Sequence, residues 1–368
     1  MIEVIENNKK VEFKTGERQL NFELLRVISM VLILLHHYSL YGGLVDLERI
    51  GANKIVGLVI NMGGKLGAII FVLISGYFMI EKSFKIKKLL KLIFETIFYS
   101  LAIVLILMIT NHINFSIKII IKSILPISYN QYWFITFYVG VYIFSPFINK
   151  LAASMNRREY KILLFISCIT LVVLPTIIIS GNSFYNGFIY FIFLYLVGGY
   201  IRKYDIIVEK RKIRAIICII LLFMIFCSVL CMYLSIRINI ANKGTTYFTK
   251  ANSIPIFILG ISIFLRFKEI KINNNTLIEI LGKTSFAVYL ISDNPNLRFI
   301  IWRDIFKIQE FFTANTFILL VHILVTILTI YITCSIIDLL RIKFIEQPIF
   351  NIKKINQIFE KIDTKLRV

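Results

Sequence analysis

The stretch that decides the fold is NFELLRVISMVLILLHHYSLYGG, Asn21 to Gly43. About 20 predominantly apolar residues are enough to cross some 30 Å of hydrocarbon, and this run has that length and character. Yet it carries Glu23 and Arg26 near one end and two adjacent histidines, His36 and His37, toward the other. The whole chain has only four histidines. On a helix, the eleven-residue step from Arg26 to His37 is three turns plus about 20°, so the two share a face about 16 Å apart along the axis. Glu23 precedes Arg26 by three residues and lies within pairing distance on that face. A polar stripe therefore runs Glu23, Arg26, His37, with His36 rotated off it by about 100°.

The rest of the chain fits a membrane setting. Of its 368 residues, 58% are hydrophobic and only 17% charged, and the mean hydropathy is +0.80. A soluble chain of this length could not hide that much apolar surface. The net charge of +21 sits in short clusters between apolar runs, the pattern of membrane-protein loops rather than of a nucleic-acid-binding face. The polar start, residues 1–20, lacks the short apolar core of a secretory signal peptide and reads as a cytoplasmic tail. All five cysteines fall inside apolar runs, which predicts small buried hydrophobes; no metal ligand set is expected.

Ten apolar runs are candidate spans: 22–42, 58–80, 92–110, 131–149, 162–180, 187–201, 215–236, 251–267, 277–301 and 315–340. With the N-terminus inside, the inner segments hold 29 of the 42 lysines and arginines and the outer segments 10, with Lys65 counted among the outer ones. That asymmetry predicts an all-α polytopic membrane protein of about ten transmembrane helices with both termini cytoplasmic. The expected organisation is a tail at 1–20, a membrane domain at 21–342 and a second cytoplasmic tail at 343–368. The segment 111–130, interrupted by Lys118, Lys122 and Pro126, reads as an amphipathic helix at the outer interface.

Ionisable groups at membrane depth are costly and usually face a cavity or reaction path. His37 also titrates near neutral pH, which suits a general base. Near the outer end, Ser292, Asp293, Asn294 and Arg298 lie at span depth, which predicts a lined cavity, and Pro295 predicts a broken helix there.

The stripe and four later stretches together resemble the membrane-bound acyltransferase family 3. Glu23, Arg26 and His37 match the spacing of its first-helix motif. FVLISGYFMI (Phe71–Ile80) is similar to its second-helix signature, QYWFITFYVGVYIFSPFINKL (Gln131–Leu151) to its tryptophan helix, ILGKTSFAVYLISDNPNLRFIIW (Ile280–Trp302) to its late helix, and IEQPIF (Ile345–Phe350) to its closing Glu-x-Pro. The chain departs from the family in two places. Ser292 stands where a histidine is common before Asp-Asn, and Lys88 and Lys91 replace an Arg-x-x-Arg pair, keeping charge but losing the bidentate fork.

The resemblance implies an enzyme of the bacterial cytoplasmic membrane that moves an acyl group, acetyl above all, from cytoplasmic acyl-CoA to a hydroxyl of a cell-surface or exopolysaccharide or its lipid-linked precursor. It implies no tightly bound cofactor, with acetyl-CoA as co-substrate and membrane lipids and glycan as partners. His37 and Arg26 would be catalytic, and Glu23, Arg26, Lys88, Lys91, Ser75 and Tyr77 would meet the donor. Trp133 and Tyr138, with Ser292, Asp293, Asn294 and Arg298, would meet the acceptor. Each has a plainer reading: the lysines as positive-inside charge, Ser75 as helix packing, Trp133 as interfacial belt. A direct attack and an acyl-histidine intermediate both remain open. A lipid-linked sugar transporter and a polysaccharide-export subunit are the rival functions; the first would favour paired broken helices, and the second leaves the polar stripe without a task.

Overall fold

The computed structural model describes residues 19–178, 186–235 and 244–365. Most of the expected N-terminal tail and the last three residues lie outside that range. The described residues form helices joined by turns and loops, with no strand among them. In chain order the helices are α1 (Leu20–Gly42), α2 (Ala52–Asn61), α3 (Gly63–Met79), α4 (Ile86–Ile109), α5 (Ile117–Ile124) and α6 (Trp133–Ser154). There follow α7 (Arg157–Cys168), which a π turn continues into α8 (Leu174–Ile177), then α9 (Gly187–Lys203) and α10 (Lys210–Leu234). The chain closes with α11 (Ile254–Lys268), α12 (Thr276–Ser292), α13 (Thr316–Arg341), α14 (Gln347–Phe350) and α15 (Lys353–Lys365).

Among the described residues seven helical segments are long and apolar enough to cross a membrane. They are α1, α2–α3 together, α4, α6, α7–α8, α10 and α13 with its continuation to Phe350. The other three predicted spans also fall on helices, but α9, α11 and α12 have only 17, 15 and 17 residues. More than half of the residues in each of the three are buried, so they occupy the interior of the bundle. The long α10 and α13 instead turn Leu222, Phe226, Phe317 and Leu324 outward. With no water to satisfy backbone groups in hydrocarbon, helices with apolar outer faces are what a lipid-exposed wall requires. The chain is thus an all-helical, multi-pass membrane protein.

Packing at the centre depends on small residues. A Cβ on Gly76 of α3 would stand 2.1 Å from the Tyr195 carbonyl oxygen of α9, and one on Gly198 would stand 2.3 Å from that of Leu73. The two backbones touch, which only paired glycines permit. Around this contact a core of Phe22, Leu73, Tyr77, Phe193 and Phe264 fills in. A second core forms around Met30, Leu34, Tyr38, Tyr289 and Trp302.

Polar contacts gather the helix ends into two sets. At one end the Asn21 amide donates to the carbonyls of Phe267 (3.0 Å) and Lys268 (3.3 Å), and Lys268 pairs with Asp205 at 2.7 Å. There too Lys203 donates to the Ala152 carbonyl at 2.7 Å, and Arg202 meets Glu81 at 3.2 Å. At the other end Asn53 donates to the carbonyls of Phe312 (3.1 Å) and Ala314 (2.8 Å), and Arg303 donates to that of Tyr41 (2.8 Å).

The run 277–301 is broken where Pro295 predicts: α12 stops at Ser292, because the proline bars the preceding residue from helical geometry and the chain turns over Asp293–Leu297. Other expectations change. Of the cysteines only Cys334 is buried, while Cys218 is exposed on the outer face of α10, where lipid satisfies a small apolar group as well as a core does. Part of the expected second tail is a helix, α15, that docks on α4. The amide of Ile86 donates to Asp363 at 2.7 Å, and Lys87 donates to Asn356 at 2.7 Å. The amphipathic segment is present in shorter form as α5, which leaves Ile117, Ile121 and Ile124 exposed.

Candidate active site

The α1 stripe brings His37 to a cavity between α1, α3, α6 and α12. It has a volume of about 110 Å³, and its walls include Ile33, His36, His37, Tyr41, Lys65 and Trp133. Phe71, Phe134, Ser285 and Tyr289 complete its walls. His37 is buried, with its Nε2 3.7 Å from Asp293 Oδ1. Its Nδ1 is buried with no hydrogen-bond partner. A carboxylate on the Nε2 side favours the tautomer with the proton on Nε2, which leaves the lone pair on Nδ1. Ring contacts with Tyr41 (5.0 Å) and Trp302 (6.2 Å) fix the imidazole plane.

Asp293 is itself held. Tyr41 donates to its Oδ1 at 2.6 Å, and the Arg298 guanidinium lies 3.8 Å away and donates to the Tyr41 hydroxyl at 3.2 Å. The break after α12 makes this possible. A helix continued through Pro295 would carry Arg298 onward along α12, whereas the turn folds it back over the Tyr41 ring at 4.7 Å.

On the other side of Tyr41 and Trp133 lies a second, more open cavity of about 460 Å³. Lys122 of α5, Asn130, Gln131, Asp293, Asn296 and Arg298 contribute its polar wall. Its volume is that of a small-molecule site, about 300–1,000 Å³. Tyr41 and Trp133 line both spaces, so an open vestibule abuts the His37 cavity across two aromatic side chains.

The other candidates distribute unevenly. Asp293, Arg298 and Trp133 line these cavities. Ser292 and Asn294 do not; they stabilise the break. The Asn294 amide donates to the Tyr132 hydroxyl at 2.8 Å while its Oδ1 accepts from the Asn296 amide at 2.9 Å, and the Ser292 carbonyl accepts from the Trp302 indole at 3.4 Å. Tyr138 stands with Ser75, whose hydroxyl donates to it at 3.1 Å, one turn below Phe71 and Phe134. Tyr77 packs between Phe22 and Phe264 in the apolar core.

Arg26 pairs with Glu23, and the pair does not reach the His37 cavity. Glu23 packs against α12 at Gly282, where any Cβ would fall 2.4 Å from its carboxylate. The polar stripe is therefore a seam between α1 and α12 with the ion pair at one end and His37–Asp293 at the other. Lys88 is exposed on α4. Lys91 is already engaged, with its Nζ 2.7 Å from Glu346. Glu346 also accepts from Arg341 at 2.9 Å, and Arg341 holds Asp338 at 2.8 Å and Glu95 at 3.2 Å. This network ties α4 to the end of α13 and gives the Glu-x-Pro motif a structural task.

Sequence reasoning missed Lys65, Tyr41, Tyr289 and Trp302 as part of the site. Lys65 lies in the run 58–80 but counts with the outer-segment charge, yet α3 begins at Gly63 and carries it inward to lie 3.9 Å above the Trp133 ring. His36 also lines the cavity although it is off the stripe; its Nδ1 donates to the Asn61 carbonyl at 2.8 Å, and the bare Gly64 leaves room for its ring.

A family model described as an acyltransferase domain matches residues 19–336, most of the chain and all of the site elements from α1 through α12. No curated protein and no solved structure matches the chain. The matched range takes in the Glu23–Arg26–His37 stripe and the Asp293–Arg298 turn that faces it. The chain belongs to the acyltransferase 3 family.

Proposed function

We propose that this membrane acyltransferase is an O-acetyltransferase of the bacterial cytoplasmic membrane, taking acetyl from cytoplasmic acetyl-CoA to a hydroxyl of a surface or secreted polysaccharide or its lipid-linked precursor. The observation that carries the reading is the state of His37: Nδ1 unpartnered and buried, Nε2 facing Asp293, and the ring on the wall of a small cavity beside an open vestibule. In the proposed step the acceptor hydroxyl attacks the thioester carbonyl while His37 Nδ1 takes its proton. The new C–O bond forms, the C–S bond breaks, and the departing CoA thiolate receives the proton. Asp293 stabilises the imidazolium in between. Lys65, the nearest cation on the same wall, faces the charge that develops on the carbonyl oxygen.

The cavity size favours a small acyl group. At about 110 Å³ it is below the roughly 150 Å³ of an apolar protein cavity that holds a benzene ring. The donor would approach from the end where Arg26 and Lys88 stand, past Ser75 of α3 and Tyr138 of α6, with acyl-CoA as a co-substrate rather than a resident cofactor. Ten crossings with both termini cytoplasmic agree with the two sets of helix ends and with the positive-inside charge count.

The test uses the purified full-length protein in nanodiscs with labelled acetyl-CoA and octanoyl-CoA and a bacterial glycan preparation. Acetyl should appear on glycan hydroxyls, octanoyl should not, and His37→Ala should transfer neither. Equal transfer of both acyl groups would refute the small-acyl assignment, and unimpaired transfer by His37→Ala would refute the mechanism.

A further inference from the structure

The vestibule has a charge signature that the general reaction does not require. Lys122 and Arg298 line it, Lys65 stands just beyond the shared Trp133 wall, and Asp293 is the one acidic side chain among the described residues lining either cavity. Asp293 is occupied with Tyr41, His37 and Arg298, so one carboxylate faces three basic side chains. The Arg298 Nε is buried and has no partner in the protein, although its Nη1 is used. A neutral sugar could accept hydrogen bonds from these side chains, but their net positive charge gives it no added attraction, whereas an anion gains both. Cations beside low-dielectric walls focus the field and recruit anions.

We infer that the acceptor carries a negative charge, a carboxylate or a phosphodiester, close to the hydroxyl that is acylated, and that Lys122 and Arg298 hold that charge in the vestibule while the hydroxyl reaches past Tyr41 and Trp133 to His37. This deepens the O-acyltransferase reading and rests on it. Arg298 takes a fixed position because its guanidinium is stacked on Tyr41 at 4.7 Å, so its other N–H donors meet an anion from a fixed plane. Lys122 sits on the short α5, whose partly exposed position lets a polymer chain or a lipid-linked sugar pass over it. The pairing sets register: with the anion held in the vestibule, only a hydroxyl a fixed distance from it can meet the base.

Three acceptors test this with the full-length protein in nanodiscs and labelled acetyl-CoA. They are a hexuronic-acid oligosaccharide, its methyl ester, and a neutral sugar joined to a lipid through phosphate. The ester keeps every hydroxyl and removes the charge. At least one charged acceptor should show a KM roughly tenfold below that of the ester, the order expected for a hydrogen bond to a charged group. That KM should rise with added salt as screening sets in. Lys122→Gln should raise the same KM several-fold with kcat little changed, and Lys122→Arg should restore it. The charged acceptor that responds identifies the anion as glycan carboxylate or lipid phosphate. Transfer that proceeds with equal KM to charged acceptors and ester, without salt dependence, overturns the inference and leaves the acyltransferase reading intact. Failure to label any of the three overturns that reading itself. If Lys122→Gln does not reach the membrane, the ester comparison and salt series on the unaltered protein decide.

Discussion

His37 and His36 are neighbours with different obligations. His37 faces Asp293 through Nε2 and keeps Nδ1 free, whereas the His36 Nδ1 is committed to the Asn61 carbonyl. Loss of a general base typically costs about 10²–10⁴ in rate, so His37→Ala should nearly abolish transfer at normal membrane abundance. His36→Asn can keep a donor toward Asn61 and should retain most of the activity. Rates for each variant, normalised to protein in the membrane, check the pair; the reverse order would mean the other imidazole is the base. Lys91 offers a second decision. Because it pairs with Glu346, a double-mutant cycle of Lys91→Ala and Glu346→Gln on thermal stability should show a coupling of about 0.5–3 kcal/mol. Two additive effects together with a raised donor KM for Lys91→Ala would instead assign it to phosphate binding. His37, Asp293 and Arg298 were legible in the sequence because polar residues at membrane depth stand out against an apolar background. Lys65 was not, since near the outer end of the run 58–80 it counts with the outer-segment charge, and only the helix start at Gly63 turns it inward. Tyr41, Tyr289 and Trp302 were hidden for the opposite reason: aromatic residues in a span resemble core or interfacial belt.

The turn after α12 is the element on which the site depends. Asn294 precedes a proline, so its backbone is held away from helix, and its side chain caps the turn through Tyr132 and the Asn296 amide. Pro295→Ala lifts that restriction and allows α12 to extend toward Arg298. The expected result is a loss of transfer of tenfold or more with a much smaller change in abundance, because the geometry of Asp293 and Arg298 is altered while the core is not. The contact between α3 and α9 predicts the contrary profile. Gly198→Val places a branched side chain where the Leu73 carbonyl leaves no room, so the protein should fail to accumulate in the membrane. Immunoblots and activity on the same membranes separate the two cases. Helix existence was readable from apolar run length, and the break was readable from Asn-Pro. The short α9, α11 and α12 could not be told from full spans, because buried and lipid-facing apolar residues look alike in composition.

For the whole molecule the two sets of helix ends make a topological prediction. Single cysteines placed at 45–50 and 305–310 should react with an impermeant reagent in intact cells, and cysteines at 82–87 should react only after lysis. Labelling of 82–87 in intact cells would invert the assignment and with it the side from which the donor arrives. The native Cys218, on the lipid-facing side of α10, should be slow toward a charged reagent in both settings and is best replaced by serine before the experiment.

The shortness of the three interior helices has an electrical consequence. At 15–17 residues they span about 22–25 Å, less than the roughly 30 Å of the surrounding hydrocarbon. The vestibule reaches Asp293 at the end of α12. Water in that vestibule would make part of the membrane voltage fall across the protein around His37 rather than evenly across the bilayer. A charge that traverses the whole drop exchanges about 2.3 kcal/mol per 100 mV, so a proton shuttled between His37 and the departing thiolate, over part of that drop, exchanges a share of it. An acyltransferase of this shape would run at a rate set partly by the energised state of the cell, fast or slow with the polarity of the membrane even when donor and acceptor are held constant.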